Sequence, residues 1–168
     1  MNDTKRKLLI LGAGQYGQVV RETAESMGCF ETISFLDDNS ILAIGKMSDA
    51  ELLKSTYTDA FVALGAPLLR EIWLNKLEKM GYHLPVIRHF QSIVMPSAKI
   101  EAGCIIEAMA VVNSNTEIGK GCLICAGAVI NHNAVISPYC QIDCNATVPA
   151  RSVIPTGYKV PCGQIYKE

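Results

Sequence analysis

The sequence lacks a charge excess, and this absence limits the partners it can have. Its 168 residues include 15 lysines and arginines and 16 aspartates and glutamates, which gives a net charge of −1 at pH 7. No run of like charge forms a basic patch for a polyanion or for a membrane surface. We therefore expect neither a nucleic-acid partner nor a membrane partner.

A long hydrophobic run is also missing. The apolar stretch at residues 8–11 is too short to cross a membrane, and no small-residue cleavage site follows it. The seven cysteines are an odd number in a chain without a recognisable signal peptide, which indicates reduced thiols rather than a disulfide framework. These features predict a cytoplasmic protein.

The second half of the sequence is a six-residue repeat. A small side chain precedes each branched residue by two positions, and glycine or asparagine, which tolerate left-handed backbone, is frequent one position earlier. Each hexad therefore predicts a short strand and a corner, and three hexads predict one triangular coil in a stack of about four. The branched residues that define the period are Val94, Ile100, Ile106, Val112, Ile118, Ile124, Ile130, Ile136, Ile142, Val148, Ile154 and Val160.

Several cysteines belong to this repeat. Cys104, Cys122 and Cys140 recur at the small position, so we expect them to stack inside the prism as compact apolar side chains. A zinc site made of Cys122, Cys125, Cys140 and Cys144 is the alternative interpretation. Consecutive members of that set point into and out of the coil, and we therefore expect no metal.

His132 interrupts the repeat at a corner. It follows the branched Ile130 by two positions, which predicts an outward-facing side chain, and its neighbours one coil away are Ser114 and Ala150. Neither neighbour needs a histidine for packing. Of the three histidines in the chain, this one alone lies well inside the repeat. It is either a solvated corner residue or a functional group.

The first half contains a glycine turn between a predicted strand and a predicted helix. Gly12, Gly14 and Gly17 give the pattern G-x-G-x-x-G, which lets backbone amides and a helix N-terminus approach a phosphate. A second strand ends in Asp37 and Asp38, where a nucleotide-binding fold keeps an acid for a ribose hydroxyl. A turn that needs these glycines for packing alone is the alternative.

The remaining pattern of the first half predicts a small α/β domain. It contains a short helix with a capping box that starts at Ser48, a strand over 59–65, a helix over about 67–80 and a final strand near 84–87. About four strands make one mononucleotide-binding half without its twin. We therefore predict a Rossmann-like half domain over residues 1–88 and an all-β domain over residues 89–168, and a mononucleotide sugar rather than a dinucleotide as ligand.

Together the two halves resemble a known family. The stretches GAGQYGQVV, FLDDN, VALGAPLLR and VINHNAVI, in this order, are similar to the PglD/NeuD-like sugar acetyltransferases of bacterial polysaccharide biosynthesis. That family includes UDP-4-amino-sugar N-acetyltransferases and sialic acid O-acetyltransferases. The resemblance implies a left-handed parallel β-helix and a homotrimer with active sites between neighbouring prisms. It also implies a nucleotide-sugar on the N-terminal domain and acetyl-CoA along the β-helix.

The resemblance also assigns roles to individual residues. It implies that His132 is the general base, with Asn133 beside it, and that the backbone amide of Ala150 binds the oxyanion. For Arg70, salt bridges along its helix are the alternative to a substrate contact. The residues implied to bind the substrate are Gly12, Gly14, Tyr16 and Gly17 in the phosphate loop, Asp37 and Asp38 at the base or ribose, and Gly65, Ala66 and Arg70 after the third strand.

Several positions depart from the family pattern. Tyr16 and Gln18 stand where histidine and lysine are usual, Asn133 replaces an acid, and Gln141 replaces a further histidine. The repeat also ends after roughly four coils, which predicts a short groove for acetyl-CoA.

Two functions therefore stay open. One is an acetyl-CoA-dependent acetyltransferase that acts on a nucleotide-linked amino sugar or a sialic-acid-like sugar. The other is a sugar-nucleotide-binding or assembly module without catalysis. A γ-type carbonic anhydrase would need three histidines around zinc, and a nicotinamide dehydrogenase would need the missing second half-fold.

Overall fold

The computed structural model describes residues 6–167, which form two compact units, one ending at Pro85 and the other beginning at Val86. Among residues 6–167, no helix is long and apolar enough to cross a membrane.

The first unit is a parallel sheet with helical connections. Its elements are β1 (Arg6–Leu11), α1 (Gln15–Ser26), β2 (Phe30–Leu36), a 3-10 turn (Met47–Asp49), α2 (Ala50–Leu53), β3 (Asp59–Val62) and α3 (Pro67–Lys79). The strand order is β2-β1-β3, and both pairings are parallel. Residues 8–11 of the central strand are 0% exposed, as expected for a parallel strand covered on both faces.

This strand order locates a ligand-binding edge. After β2 the chain crosses β1 and adds β3 on the other side, so the carboxyl ends of β1 and β3 flank a topological switch point. Open α/β sheets bind ligands in the crevice at such a point. The turns that follow β1 and β3 are therefore the places to look for a nucleotide site.

The second unit is a triangular parallel β-helix. Its strands are β4 (Ile87–Arg88), β5 (Ile93–Val94), β6 (Lys99–Ile100), β7 (Ile105–Ile106), β8 (Val111–Val112), β9 (Glu117–Ile118), β10 (Leu123–Ile124), β11 (Val129–Ile130), β12 (Val135–Ile136), β13 (Gln141–Ile142), β14 (Thr147–Val148), β15 (Val153–Ile154) and β16 (Lys159–Val160). They form three sheets, which we call the first face (β4-β7-β10-β13-β16), the second face (β5-β8-β11-β14) and the third face (β6-β9-β12-β15). This arrangement confirms the predicted stack of about four coils.

The interior follows the predicted register. Every branched residue of the repeat from Ile106 to Val160 is at most 1% exposed, and the small residues from Cys104 to Ala146 are 0% exposed. Val94 and Ile100, in the first coil, are partly buried against the same core. Because the small and the branched residue of each hexad point inward, the other side chains of the hexad must point outward or form the corners.

Corners of the prism carry the left-handed backbone that the sequence predicts. Positive φ occurs at five glycines of the repeat and at Asn115, Asn133 and Asn145. It also occurs at Met109, Tyr139 and Arg151, where a side chain makes this conformation less favourable. From Gly121 to Gly163, each such corner is supported by a backbone hydrogen bond to the previous coil, such as that from Asn133 N to Ser114 O at 3.0 Å.

Cysteines 104, 122 and 140 stack inside the prism as predicted. The Cys122 backbone N–H donates to Cys104 Sγ at 3.3 Å, and the Cys122 thiol donates to Ser137 O at 3.2 Å. Contact with Cys104 and burial raise the pKa of the Cys122 thiol, so it is protonated and unreactive. Cys122 and Cys140 belong to the interior cluster, and Cys125 and Cys144 lie outside it.

One predicted strand is placed differently. The strand expected near residues 84–87 is not a fourth strand of the Rossmann-like sheet, because β4 pairs with β7 of the prism. Within the described part of the first unit, His83 contributes a single bridge to Asp59. The residues of β4, which the sequence analysis assigned to the first domain, therefore belong to the second unit.

Candidate functional site

The three glycines of the turn after β1 have different structural roles. Gly12 has φ of 103°, and a Cβ there would lie 2.9 Å from Ala63 O. A Cβ on Gly17 would overlap the carbonyl oxygen of Gly12. At Gly14, by contrast, no described atom beyond the glycine and its two chain neighbours lies within 4 Å of the position that a Cβ would take. Gly12 and Gly17 are thus required for packing, and Gly14 leaves room for a ligand to approach the backbone.

The N-terminus of α1 lies next to Gly14. Within residues 6–167, no side chain caps this terminus and no acidic residue lies in its first turn. The N–H groups at a helix N-terminus and the helix dipole favour an anion here. Tyr16 is half-buried in this first turn, and the buried Nε2 of Gln18 has no hydrogen-bond partner in the described chain. A bound acceptor or a water molecule would satisfy that donor.

The two acids at the end of β2 hold loops in place. Asp37 Oδ2 accepts from Ala13 N at 2.8 Å, and Asp37 Oδ1 accepts from Asn39 N and Ser40 N. The hydrogen bond from Ala13 is the main reason that the pKa of Asp37 is lowered. Asp38 Oδ1 accepts from Met47 N at 3.2 Å. Asp37 therefore fixes the glycine turn, and a ribose or base contact by either acid stays a prediction.

The turn after β3 is supported from within by Arg70. This side chain is 0% exposed, and its Nη1 donates to Leu64 O at 2.7 Å and to Gly65 O at 3.0 Å. Gly65 and Ala66 are exposed, and α3 begins at Pro67 without a described side-chain cap. The structure gives Arg70 a positioning role and no direct access to a ligand. The N-termini of α1 and α3, which have no described side-chain cap, thus lie at the two turns that flank the switch point.

His132 lies at an exposed corner between β11 and β12. Its Nδ1 is 2.9 Å from Nδ2 of Asn133, the next residue. An asparagine amide can present either its nitrogen or its oxygen to the ring. With the oxygen facing Nδ1–H, the ring is held in place and Nε2 is free to accept a proton. The predicted outward orientation of His132 is confirmed.

Ala150 stands one coil beyond His132, as the register predicts. His132 O accepts from Arg151 N at 3.2 Å, which fixes the two coils against each other. The half-buried Ala150 has a backbone N–H that donates to no other group in the described residues. The corner thus combines a proton acceptor with an unpaired donor. Sequence reasoning missed Arg151, an exposed cation at a corner position where glycine or asparagine is usual.

A groove of the prism lies on the third face. It has a volume of about 430 Å³ and its walls include Lys99, Glu117, Gly119, Ser137 and Pro138. His132 is not among its lining residues, although Val135 of the strand that follows it is.

Comparison with known proteins agrees with this geometry. Residues 7–77 match the PglD N-terminal domain, and residues 97–132 match the bacterial transferase hexapeptide, six repeats. The acetyltransferase domain of PglB from Neisseria gonorrhoeae, solved in complex with acetyl coenzyme A, is 29% identical with a TM-score of 0.82. The similarity covers 96% of this chain and 84% of that one. The chain is therefore similar to the PglD-like sugar acetyltransferases in both halves.

Two further structures share the fold of this PglD-like chain. A perosamine N-acetyltransferase variant from Caulobacter crescentus, in complex with CoA and GDP-perosamine, has a TM-score of 0.86 at 20% identity, over 95% of this chain and 81% of that one. WeeI from Acinetobacter baumannii has a TM-score of 0.74 at 18% identity, over 95% and 88%. The predicted acyltransferase class and the left-handed parallel β-helix are confirmed.

Proposed function

We propose that this PglD-like protein transfers the acetyl group of acetyl-CoA to an amine or hydroxyl of a nucleotide-linked sugar, with His132 as general base. The arrangement at the prism corner carries the proposal: an exposed imidazole held at Nδ1 by Asn133 beside the unpaired N–H of Ala150. Among acceptors, a nucleotide-linked amino sugar is preferred to a free sialic-acid-like sugar, because the first unit offers a nucleotide-binding edge.

The chemistry follows from these groups. The sugar amine or hydroxyl attacks the thioester carbon and gives its proton to Nε2 of His132, which acts as the general base. The tetrahedral oxyanion forms a hydrogen bond with the N–H of Ala150. The intermediate then collapses and its C–S bond breaks. The imidazolium of His132 gives its proton to the CoA thiolate as the thiolate leaves. Asn133 positions the ring, but its neutral amide stabilises the imidazolium less than a carboxylate would.

The nucleotide diphosphate is proposed to bind at the switch point of the first unit. The amides at the N-terminus of α1 would contact the phosphates where Gly14 leaves space, and the uncapped start of α3 lies at the neighbouring turn. Backbone donors thus replace the cationic side chain that the family pattern has near Gln18. Asp37 and Asp38 are the acceptors available for sugar or base hydroxyl and amino groups.

A homotrimer is part of this proposal. Ile93, Val111 and Val129 stand in register on the outside of the second face, and Ile93 is 51% exposed. His132 lies at the edge of this apolar face, just after β11. Packing of a second protomer against the face would exclude water from the corner, which strengthens the hydrogen bonds to the transition state.

The test is acetyl transfer by the His132→Ala variant. Acetyl-CoA would be supplied with a panel of UDP- and GDP-linked amino sugars, and acetylated product would be measured by mass spectrometry. We expect a loss of about 10²–10⁴-fold in kcat, with unchanged calorimetric binding of the nucleotide-sugar and an unchanged circular dichroism spectrum. His89→Gln, outside the corner, is the control. Wild-type turnover in His132→Ala would refute the assignment.

The non-catalytic alternative makes a different prediction for the wild-type protein. Asn133 and Gln141, in place of an acid and a histidine, are the observations that favour it. In that case calorimetry would detect nucleotide-sugar binding, acetyl-CoA would not bind, and no product would form with any acceptor of the panel.

A further inference from the structure

The prism corner between the first and second faces carries a cluster of donor atoms outside the proposed active site. One carboxylate oxygen of Asp143 and the Sγ atoms of Cys144 and Cys162 all lie within 4.8 Å of one another. The two cysteines are one coil apart, and Gly163 N donates to Cys144 O at 2.9 Å between those coils. None of the three side chains belongs to the interior cluster, so packing of the core does not explain them.

Two carboxylates, those of Glu107 and Asp143, lie at or near this corner. Burial, followed by the carboxylates of Glu107 and Asp143, raises the pKa of the Cys125 thiol, which contacts Glu107. A cation bound at this corner would therefore lie near two carboxylates.

A positively charged group already binds at the edge of the cluster. Lys159 Nζ lies 2.9 Å from Asp143 Oδ2, and Lys159 is 56% exposed whereas Asp143 is 15% exposed. The ammonium and the Cys162 thiol both bind Asp143, so a metal ion would compete with Lys159 for this carboxylate.

We propose that Asp143, Cys144 and Cys162 bind a thiophilic divalent cation, with Zn²⁺ as the best match and water as the fourth ligand. Two sulfurs at about 2.3 Å and one oxygen at about 2.0–2.2 Å are ordinary zinc distances. Cys162 is exposed and can rotate to close the remaining gap. Binding converts both thiols to thiolates and releases two protons to solvent, so affinity falls as pH falls.

This set differs from the four cysteines considered in the sequence. Cys122 and Cys140 point into the prism, and the site instead joins Cys144 to Cys162 and to a carboxylate on the same corner. The ligands come from two successive coils near the end of the described repeat. A bound ion would therefore tie these coils together and raise their resistance to unfolding.

Zinc titration of the reduced, chelator-stripped full chain tests the proposal, in competition with a chromophoric zinc indicator. We expect about one Zn²⁺ per chain for the wild type and loss of that binding in Cys144→Ser and Cys162→Ser. Cys29→Ser, which removes an exposed thiol of the first unit, is the matched control and should bind like the wild type. Binding that survives both site variants, or that disappears with Cys29→Ser, overturns the proposal.

Two further measurements separate a built site from adventitious thiol binding. Co²⁺ in place of Zn²⁺ should give a thiolate charge-transfer absorption in the wild type that is absent from Cys144→Ser, with circular dichroism reporting the fold of each variant. Lys159→Gln should bind Zn²⁺ more tightly, because it removes a competing cation from Asp143. If Lys159→Gln binds no more tightly than the wild type, or if the wild type forms a Cys144–Cys162 disulfide under the reducing conditions used, the site is not a metal site. These readouts do not depend on acetyl transfer.

Discussion

Asp59 is a buried carboxylate held by several donors at the start of β3. It is 1% exposed, and it accepts hydrogen bonds from Arg6 Nε at 3.1 Å and from Thr58 Oγ1 at 2.6 Å. His83 Nδ1 lies 2.6 Å from its Oδ1. Burial opposes ionisation, but the hydrogen bonds from Arg6, Thr58 and His83 outweigh it, so the pKa of Asp59 is lowered. The group thus links β1, β3 and the segment that follows α3.

We expect Asp59→Asn to destabilise the protein by about 1–3 kcal/mol at pH 7, because the donors lose a charged acceptor. The pKa of Asp59 is lower in the folded state than the unfolded value of about 3.9. Its stabilising effect is therefore complete above about pH 5 and is lost as pH falls through the folded pKa. Urea unfolding at pH 7 and at pH 3 should show that the gap between wild type and Asp59→Asn narrows at acid pH.

The exposed Asp38→Asn is the control for this comparison, since it accepts a single described hydrogen bond. It should change the free energy of unfolding little at either pH. Equal destabilisation by Asp59→Asn at pH 7 and pH 3 would contradict the electrostatic explanation.

Individual side chains were predictable only where the repeat fixes their direction. The exposed position of His132 and its pairing with the coil of Ala150 follow from a period of six, because interior positions recur in every hexad. The burial of Arg70 did not follow from its motif. Its partners are two carbonyls of a turn, and such partners become visible only when the turn is folded.

The strand–turn–helix element formed by β1 and α1 allows a sharper test of the glycine motif. Gly17→Ala would place a methyl group against the Gly12 carbonyl and should cost about 1–3 kcal/mol of stability through overpacking. Gly14→Ala has space for its methyl group and an ordinary negative φ of −71°, so it should fold normally. If phosphates bind against this backbone, Gly14→Ala should nevertheless weaken nucleotide-sugar binding.

Thermal unfolding measures the stability of the two alanine variants, and calorimetry measures their affinity for the nucleotide-sugar. Gly17→Ala with wild-type stability would show that the close approach of α1 to the turn is not required. Gly14→Ala with wild-type nucleotide-sugar affinity would remove the phosphate contact from the proposed site.

Whole elements were predicted best where many residues repeat one pattern. The prism register was right over twelve hexads, but the short segment that became β4 was assigned to the wrong sheet. Its apolar residues fit a strand in either unit, and only its pairing with β7 decides between them. The capping box expected at Ser48 begins two residues earlier, at Lys46. Asp49 Oδ2 accepts a hydrogen bond from Lys46 N at 2.8 Å.

At the scale of the whole molecule, the two units were recognisable from sequence because each has its own period. The glycine turn and apolar strands indicate an α/β sheet, and the hexads indicate a coil that stacks on itself. Oligomeric assembly could not be predicted in this way, because the sequence pattern of one chain does not indicate which surface packs on a second copy. The structural observation that bears on assembly is the apolar column on the second face, which consists of Ile93, Val111 and Val129.

Val111→Asp tests whether that column forms the interface of a trimer. Val111 pairs with Ile93 and Val129 on the second face, so a carboxylate there would be buried without a partner if protomers pack on it. We expect the wild type to have the mass of a trimer in light scattering and Val111→Asp to dissociate and lose acetyl transfer. Val153→Asp on the third face, where the valine is 56% exposed, is the matched control and should leave the mass unchanged. A wild-type monomer, or a Val111→Asp protein that keeps both mass and turnover, would mean that the corner of His132 works without a neighbouring protomer.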